Sequence, residues 1–161
     1  MTALLRIDTL QGTDALAAIP SLIAFSNAEF APYAVLAPAQ AATSDPTHWQ
    51  TLVTEKAGTI HRCHLNDILS GLIFTYANPS GTHIWLAVTA VHARRKGVMR
   101  ALFASVLARE SVGFIVTVNT LPEVFVDMPP FLESQGFHLQ AEESVTDGIR
   151  STRKLRFQKV V

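Results

Sequence analysis

Apolar residues recur along this chain in two rhythms, one of period two and one near 3.6, and the change between them divides it into elements. Residues 4–10 alternate well enough for a first strand. Thr13 or Asp14 can cap a helix after it, and Pro20 predicts a kink or two short helices before Phe30. Residues 31–42, rich in Pro and Ala, read as loop. Asp45-Pro46 marks a helix start, running to about Lys56 and stopped by Gly58. Strands are expected at 59–66 and 68–77 around an Asn66-Asp67 turn, and at 83–89 after the turn Asn78-Pro79-Ser80-Gly81. A short apolar strand follows at 114–118. Residues 122–126 or 130–135 give short helical pieces, the second framed by Pro130 and Gly136. Two last strands, 137–145 and 151–160, flank the hairpin signal Asp147-Gly148. The sum is an α/β chain: a mixed sheet carrying helices.

One stretch, 84–110, joins the two rhythms. Ile84, Trp85, Leu86, Ala87 and Val88 form an almost wholly apolar strand. Val98, Leu102, Phe103, Val106 and Leu107 then recur at helical spacing as one buried face. Between them lies His92-Ala93-Arg94-Arg95-Lys96-Gly97. The first amides of a helix lack intrahelical acceptors and carry partial positive charge, so this junction suits an anion such as phosphate. Gly97 lets a ligand approach the backbone, and Arg94, Arg95, Lys96 and Arg100 surround the turn with cations. No Asp or Glu occurs from 68 to 109, whereas five Lys or Arg do, in a chain of zero formal net charge. Positive potential is therefore concentrated at one helix mouth.

Arg94-Arg95-Lys96-Gly97-Val98-Met99 resembles the R/Q-x-x-G-x-G/A loop of the GNAT superfamily of N-acetyltransferases, departing at its last position, where Met99 replaces Gly or Ala. Phe131-Leu132-Glu133-Ser134-Gln135-Gly136-Phe137 is similar to that family's F-Y-x-x-x-G-F segment, in the same order and at roughly the same spacing. The resemblance implies one domain with a mixed, mostly antiparallel twisted sheet of six to seven strands and flanking helices. It implies an acetyl-CoA-dependent N-acetyltransferase that acts on a primary amine of a small molecule or peptide. Arg94 to Met99, with Arg100, would cradle the coenzyme pyrophosphate, while Leu86, Ala87, Val88 and Thr89 would lie along its pantetheine arm. Asn119 takes the place of a family asparagine that follows the fifth strand and touches the same arm. A β-bulge in the 83–89 strand is expected, and the amide of Val88 or its neighbour would stabilise the oxyanion. His83, eleven residues before Arg94, is the expected base. The family's usual tyrosine acid is replaced by Leu132, which keeps open an alternative: a GNAT-fold module that binds an acyl-CoA without catalysing.

Composition adds bounds. The chain has 161 residues, 48% hydrophobic and 16% charged, enough for one core. No apolar run approaches the roughly 20 residues that span a bilayer. The first residues lack the pattern of a signal peptide. Cys63 is the one cysteine, so no internal disulfide forms. The expectation is a cytoplasmic protein with no membrane and no nucleic-acid partner, and the resemblance allows a homodimer. His61, Cys63 and His64 are too few and too divergent on a strand to predict a metal site. Phe25, Phe30, Tyr33 and Trp49 are either core or the wall of an acceptor pocket.

Overall fold

A computed structural model describes residues 3–33, 44–147 and 150–161. The chain runs β1 (Leu5–Leu10), α1 (Gly12–Phe30), α2 (Pro46–Glu55), β2 (Thr59–Leu65), β3 (Ile68–Asn78), β4 (Gly81–Thr89), α3 (Val98–Ala108), β5 (Ile115–Thr120), α4 (Met128–Ser134), β6 (His138–Asp147) and β7 (Arg150–Val160). The seven strands form one sheet in the order β1-β2-β3-β4-β5-β7-β6. Every neighbouring pair is antiparallel except β4 with β5.

The turns form as their residues dictate. Asn66 and Asp67 both take positive φ, the hairpin conformation their side chains tolerate best. The Asn78 side chain accepts hydrogen bonds from the amides of Ser80 and Gly81 at 3.1 and 2.9 Å, which folds β3 back into β4. At α2, Asp45 accepts from the Thr47 amide at 3.0 Å, with Pro46 in the first turn. Gly58 does not supply the left-handed residue that ends this helix. Ala57 does, at φ 50. A Cβ at Gly58 would lie 2.8 Å from the Leu52 oxygen and from Phe74, so glycine is there for space.

Two expectations are corrected and one alternative is decided. Of the kink or two short helices expected at Pro20, the two helices do not form, since one helix runs 19 residues through it. Ala15, Ile19, Leu22 and Ile23 bury a stripe that spans the proline, and that packing offsets the lost backbone hydrogen bond. The cap of α1 is Gln11, without a side-chain bond, rather than Thr13 or Asp14. Residues 122–126 form turns instead of a helix, and the helical piece is α4. Most of the expected loop at 31–42, and the centre of the 147–148 turn, lie outside the described residues.

Two cores line the two faces of the sheet. On one face α1 and α2 cover Ile60 of β2, Leu72 and Phe74 of β3, and Leu86 and Val88 of β4, with Trp49 fully buried among them. On the other, α3 and α4 cover Cys63, Leu65, Ile73, Ile84, Val116, Val118, Leu155 and Phe157. The buried stripe of α3 is Val98, Leu102, Phe103 and Val106, each at most 1% exposed. Burial of side chains this size stabilises by roughly 2 kcal/mol apiece, so α3 and the turn before it are firmly seated. No helix among the described residues is long and apolar enough to cross a membrane.

Candidate functional site

β4 pairs with β5 over four positions, from Gly81 opposite Ile115 to Ile84 opposite Val118. Close approach at the foot of this ladder requires Gly81, where any Cβ would collide with the Ile115 carbonyl oxygen. Beyond Ile84 and Val118 the strands part, although β4 continues to Thr89 and β5 to Thr120. They part at a bulge. Phe74 of β3 faces Leu86 and Thr75 faces Ile84, so Trp85 is an extra residue on β4. A bulge bends its strand and sharpens the local twist, which is what a strand leaving its neighbour needs. The result is a wedge between β4 and β5, opening toward the turn before α3.

Backbone direction follows from the ladder. The Ala90 amide donates to the Ser70 carbonyl at 2.8 Å. Hydrogen-bonded positions alternate along an antiparallel pair, so the Val88 amide points to Leu72 on β3, away from the wedge. The amides of Ala87 and Thr89 point into it. Of the residues named from sequence for the oxyanion, it is therefore a neighbour of Val88, not Val88, whose amide faces the open side. The side chains of Leu86 and Val88 are buried in the α1 and α2 core. The Thr89 hydroxyl is buried without a partner, as is that of Thr120 at the end of β5.

At the wide end of the wedge stands the basic turn. Arg95 and Gly97 both take positive φ, 61° and 82°, and Gly97 is the N-cap of α3 without a side-chain cap. The first helical acceptor bond is that of the Ala101 amide to Gly97, at 3.0 Å. Among the described residues, none of the amides from Arg95 through Arg100 donates to a protein acceptor. Arg94, Arg95, Lys96 and Arg100 are exposed and have no carboxylate partner, while Val98 is buried and Met99 half-buried. From the other side, the Glu29 carboxylate at the end of α1 accepts from the Val91 amide at 3.0 Å and fixes where the turn begins. Six unpartnered amides in a row, ringed by four cations, are an arrangement with the chemistry of an anion cradle.

His83 lies at the narrow end, on the last stretch where β4 and β5 still pair. It is 7% exposed. Its Nδ1 is 2.7 Å from the Thr117 hydroxyl on β5, and its ring packs 5.2 Å from that of Tyr76 on β3. Burial, reinforced by the charges of Arg156 and Lys154, pushes its pKa down to about 4. The imidazole is therefore neutral at pH 7, and Nε2 has no protein partner among the described residues. His83 also borders a cavity of about 620 Å³, with Lys56, Tyr76, Thr117, Arg156 and Gln158 among its walls. Nothing in sequence order announced these neighbours, since they come from a loop and three different strands.

Other residues fall differently. Asn119 lies within β5 and not after it, because the ladder to β7 continues through Thr120 opposite Leu155. Its Oδ1 accepts from Arg156 Nε at 3.3 Å. Leu132 is fully buried in the core beneath α4. Of the aromatic residues weighed as core or pocket wall, Trp49 is core, and Phe30 and Tyr33 pack on Phe125. His61 is buried with Nδ1 2.8 Å from Ser105 Oγ, and burial, aided by Arg109, lowers its pKa to about 4. Among the described residues, no group of three His, Cys, Asp or Glu is placed to hold a metal ion.

No family model and no curated protein matches the sequence. Solved structures do. The ribosomal-protein-S18-alanine N-acetyltransferase from Escherichia coli aligns with a TM-score of 0.70 at 12% identity, over 96% of this chain and 92% of that one. A GNAT-family acetyltransferase from Bacillus cereus ATCC 10987 aligns with a TM-score of 0.67 at 14% identity, over 98% and 97% of the two chains. A provisionally named streptothricin acetyltransferase from Bacillus anthracis str. Ames, solved in complex with acetyl coenzyme A, aligns at 0.59 and 14% identity over 70% and 67%. Identities this low establish shared architecture alone: the chain has the fold of the GNAT acetyltransferases.

Proposed function

We propose that this chain is an acetyl-CoA-dependent N-acetyltransferase that modifies a primary amine of a small molecule or peptide. The run of unpartnered amides from Arg95 to Arg100, at the mouth of a strand wedge, carries the proposal. A diphosphate fits that run through charge-assisted hydrogen bonds, with Arg94, Arg95, Lys96 and Arg100 closing around it. Leu86, Ala87, Val88 and Thr89 then border the pantetheine arm along the wedge. Asn119 faces the same opening from β5, on the strand position its side chain shares with Thr117. The thioester carbonyl comes to rest near the bulge, where the amide of Ala87 or Thr89 offers a donor to the developing oxyanion.

An amine must lose a proton before it attacks. His83 is neutral, buried at the apex of the wedge, and presents Nε2 as the acceptor for that proton, directly or through a water. Attack on the thioester carbonyl forms the C–N bond and breaks the C–S bond, the thiolate of coenzyme A leaves, and the second proton of the nitrogen passes to that thiolate or to water. A thiolate leaves without protonation at neutral pH because its pKa is near 8.5, so no acid at position 132 is required. A specific observation favours a second reading. Leu132 holds the place of a family acid and is sealed in the core, as a chain that binds acyl-CoA without turning it over could tolerate.

Calorimetry with acetyl-CoA and thiol release across a library of amines, polyamines, amino acids and peptides test both readings. Binding with thiol release on at least one amine is expected. Binding without release on any amine selects the second reading, and absence of binding removes both.

A further inference from the structure

Among the described residues, the cations without a carboxylate partner include two groups, with Arg109 and Lys159 apart from both. Arg6, Arg62, Arg153 and Lys154 sit within 4 Å of a carboxylate. The cations of the turn before α3 do not, and neither do Lys56 and Arg156. The first group faces the wide end of the wedge. Lys56 and Arg156 both line the cavity beside His83, at the narrow end. That cavity is walled by Tyr76, Asn78, Thr117 and Gln158, and among the described residues no Asp or Glu borders it. Arg156 Nε is steadied by Asn119 at 3.3 Å. Lys56 Nζ lies 5.2 Å from the centre of the Tyr76 ring, whose other neighbour is His83. A volume of about 620 Å³ is that of a small-molecule site.

We infer that this cavity is the acceptor site and that its substrates are amines that also carry an anionic group, a carboxylate in the simplest form. This rests on the acetyltransferase reading and narrows it. The carboxylate pairs with Arg156 and Lys56, and the guanidinium fork suits a two-oxygen anion. The amine end then reaches His83 Nε2. A second positive charge on the acceptor meets two uncompensated cations and no acid, which disfavours polyamines. Burial and, after it, the charge of Arg156 disfavour protonation of His83, so one of the groups that select the substrate also helps keep the imidazole neutral.

The test uses matched acceptors that differ by one carboxylate: ornithine against putrescine, histidine against histamine, and phenylalanine against phenethylamine. Thiol release from acetyl-CoA is followed for each. The carboxylated member is expected to have the higher kcat/KM in the pairs that react, by about tenfold or more, as one charge-assisted bond is worth roughly 1.5–3 kcal/mol. Arg156→Gln and, separately, Lys56→Gln should shrink that ratio toward one through KM, while calorimetric affinity for acetyl-CoA is unchanged. Both residues are exposed, and thermal melts check that the variants fold. Equal or reversed preference in the unmodified chain overturns the inference, as does a ratio that survives both substitutions. If acetyl-CoA fails to bind, the acetyltransferase reading falls by itself. The cavity is then judged by titrating N-acetylglycine and following the NMR signal of the Gln158 side-chain amide, which borders it. A shift lost in Arg156→Gln supports an anion site, and no shift refutes it.

Discussion

Substituting alanine at Gly97 separates what the turn does for the fold from what it does for a ligand. Gly97 sits at φ 82 with one side-chain atom, Leu5 Cδ1, 3.8 Å from where a Cβ would stand. Space is therefore no obstacle, and the cost is conformational. A side chain in the left-handed region costs about 1–2 kcal/mol, or roughly 2–8 °C in Tm for a domain of this size. Gly113 supplies the control. Its φ is 90 and no atom lies within 4 Å of its missing Cβ, but it follows α3, away from the anion cradle. Gly97→Ala and Gly113→Ala should lower Tm by similar amounts. Only Gly97→Ala should weaken coenzyme A binding, because relief of strain there rotates the amides of the cradle. Losing one charge-assisted bond of about 1.5–3 kcal/mol raises Kd about tenfold or more. Differential scanning fluorimetry and calorimetry read the two effects separately. Equal Kd in the two variants would show that these amides do not hold the anion. Unchanged Tm in both would show that the φ argument itself is wrong.

Three further outcomes are expected. His83→Ala should cut turnover about a hundredfold or more, the range of a lost general base, with coenzyme affinity retained, and unimpaired turnover removes His83 from the chemistry. Acid should destabilise the chain well above the carboxylate range. His61 and His83 are held neutral with pKa values near 4 against 6.5 when unfolded. The stability they confer is complete above pH 6.5 and is lost as pH falls toward 4, by roughly 3 kcal/mol each at most. A urea midpoint that stays level between pH 7 and 4.5 contradicts this. Last, Leu132→Tyr should cost about 1–3 kcal/mol by overpacking a fully buried site without raising turnover. A faster variant would show that the hydroxyl reaches the wedge and that an acid was wanting.

The strand–turn–helix unit was legible in sequence because every signal it needs is local. An apolar strand, four cations and a helical stripe lie in one continuous stretch, and the seven strands follow from alternation and turn residues such as Asn66-Asp67 and Asn78 to Gly81. Even here local rules had limits. Pro20 lies inside one helix because tertiary packing outweighs the local penalty, and Ala57 takes the left-handed turn that Gly58 was expected to take. Asn119 stays in β5 because its neighbour β7 keeps pairing.

Period two assigns a residue to a face of its strand, but not to a neighbour across it. That is why His83 could be named as a base while its surroundings could not. Tyr76 from β3, Thr117 from β5 and Arg156 from β7 meet His83 only through the registers of three ladders, which no local pattern encodes. The wedge and the Trp85 bulge likewise belong to strand pairing, as does the turning of the Val88 amide away from the opening. The sequence by itself determined where an anion could be gripped, since helix ends and charges are set by nearby residues. Only the tertiary structure decided what stands at the far end of the wedge, because that site is assembled from distant segments whose meeting depends on register and burial.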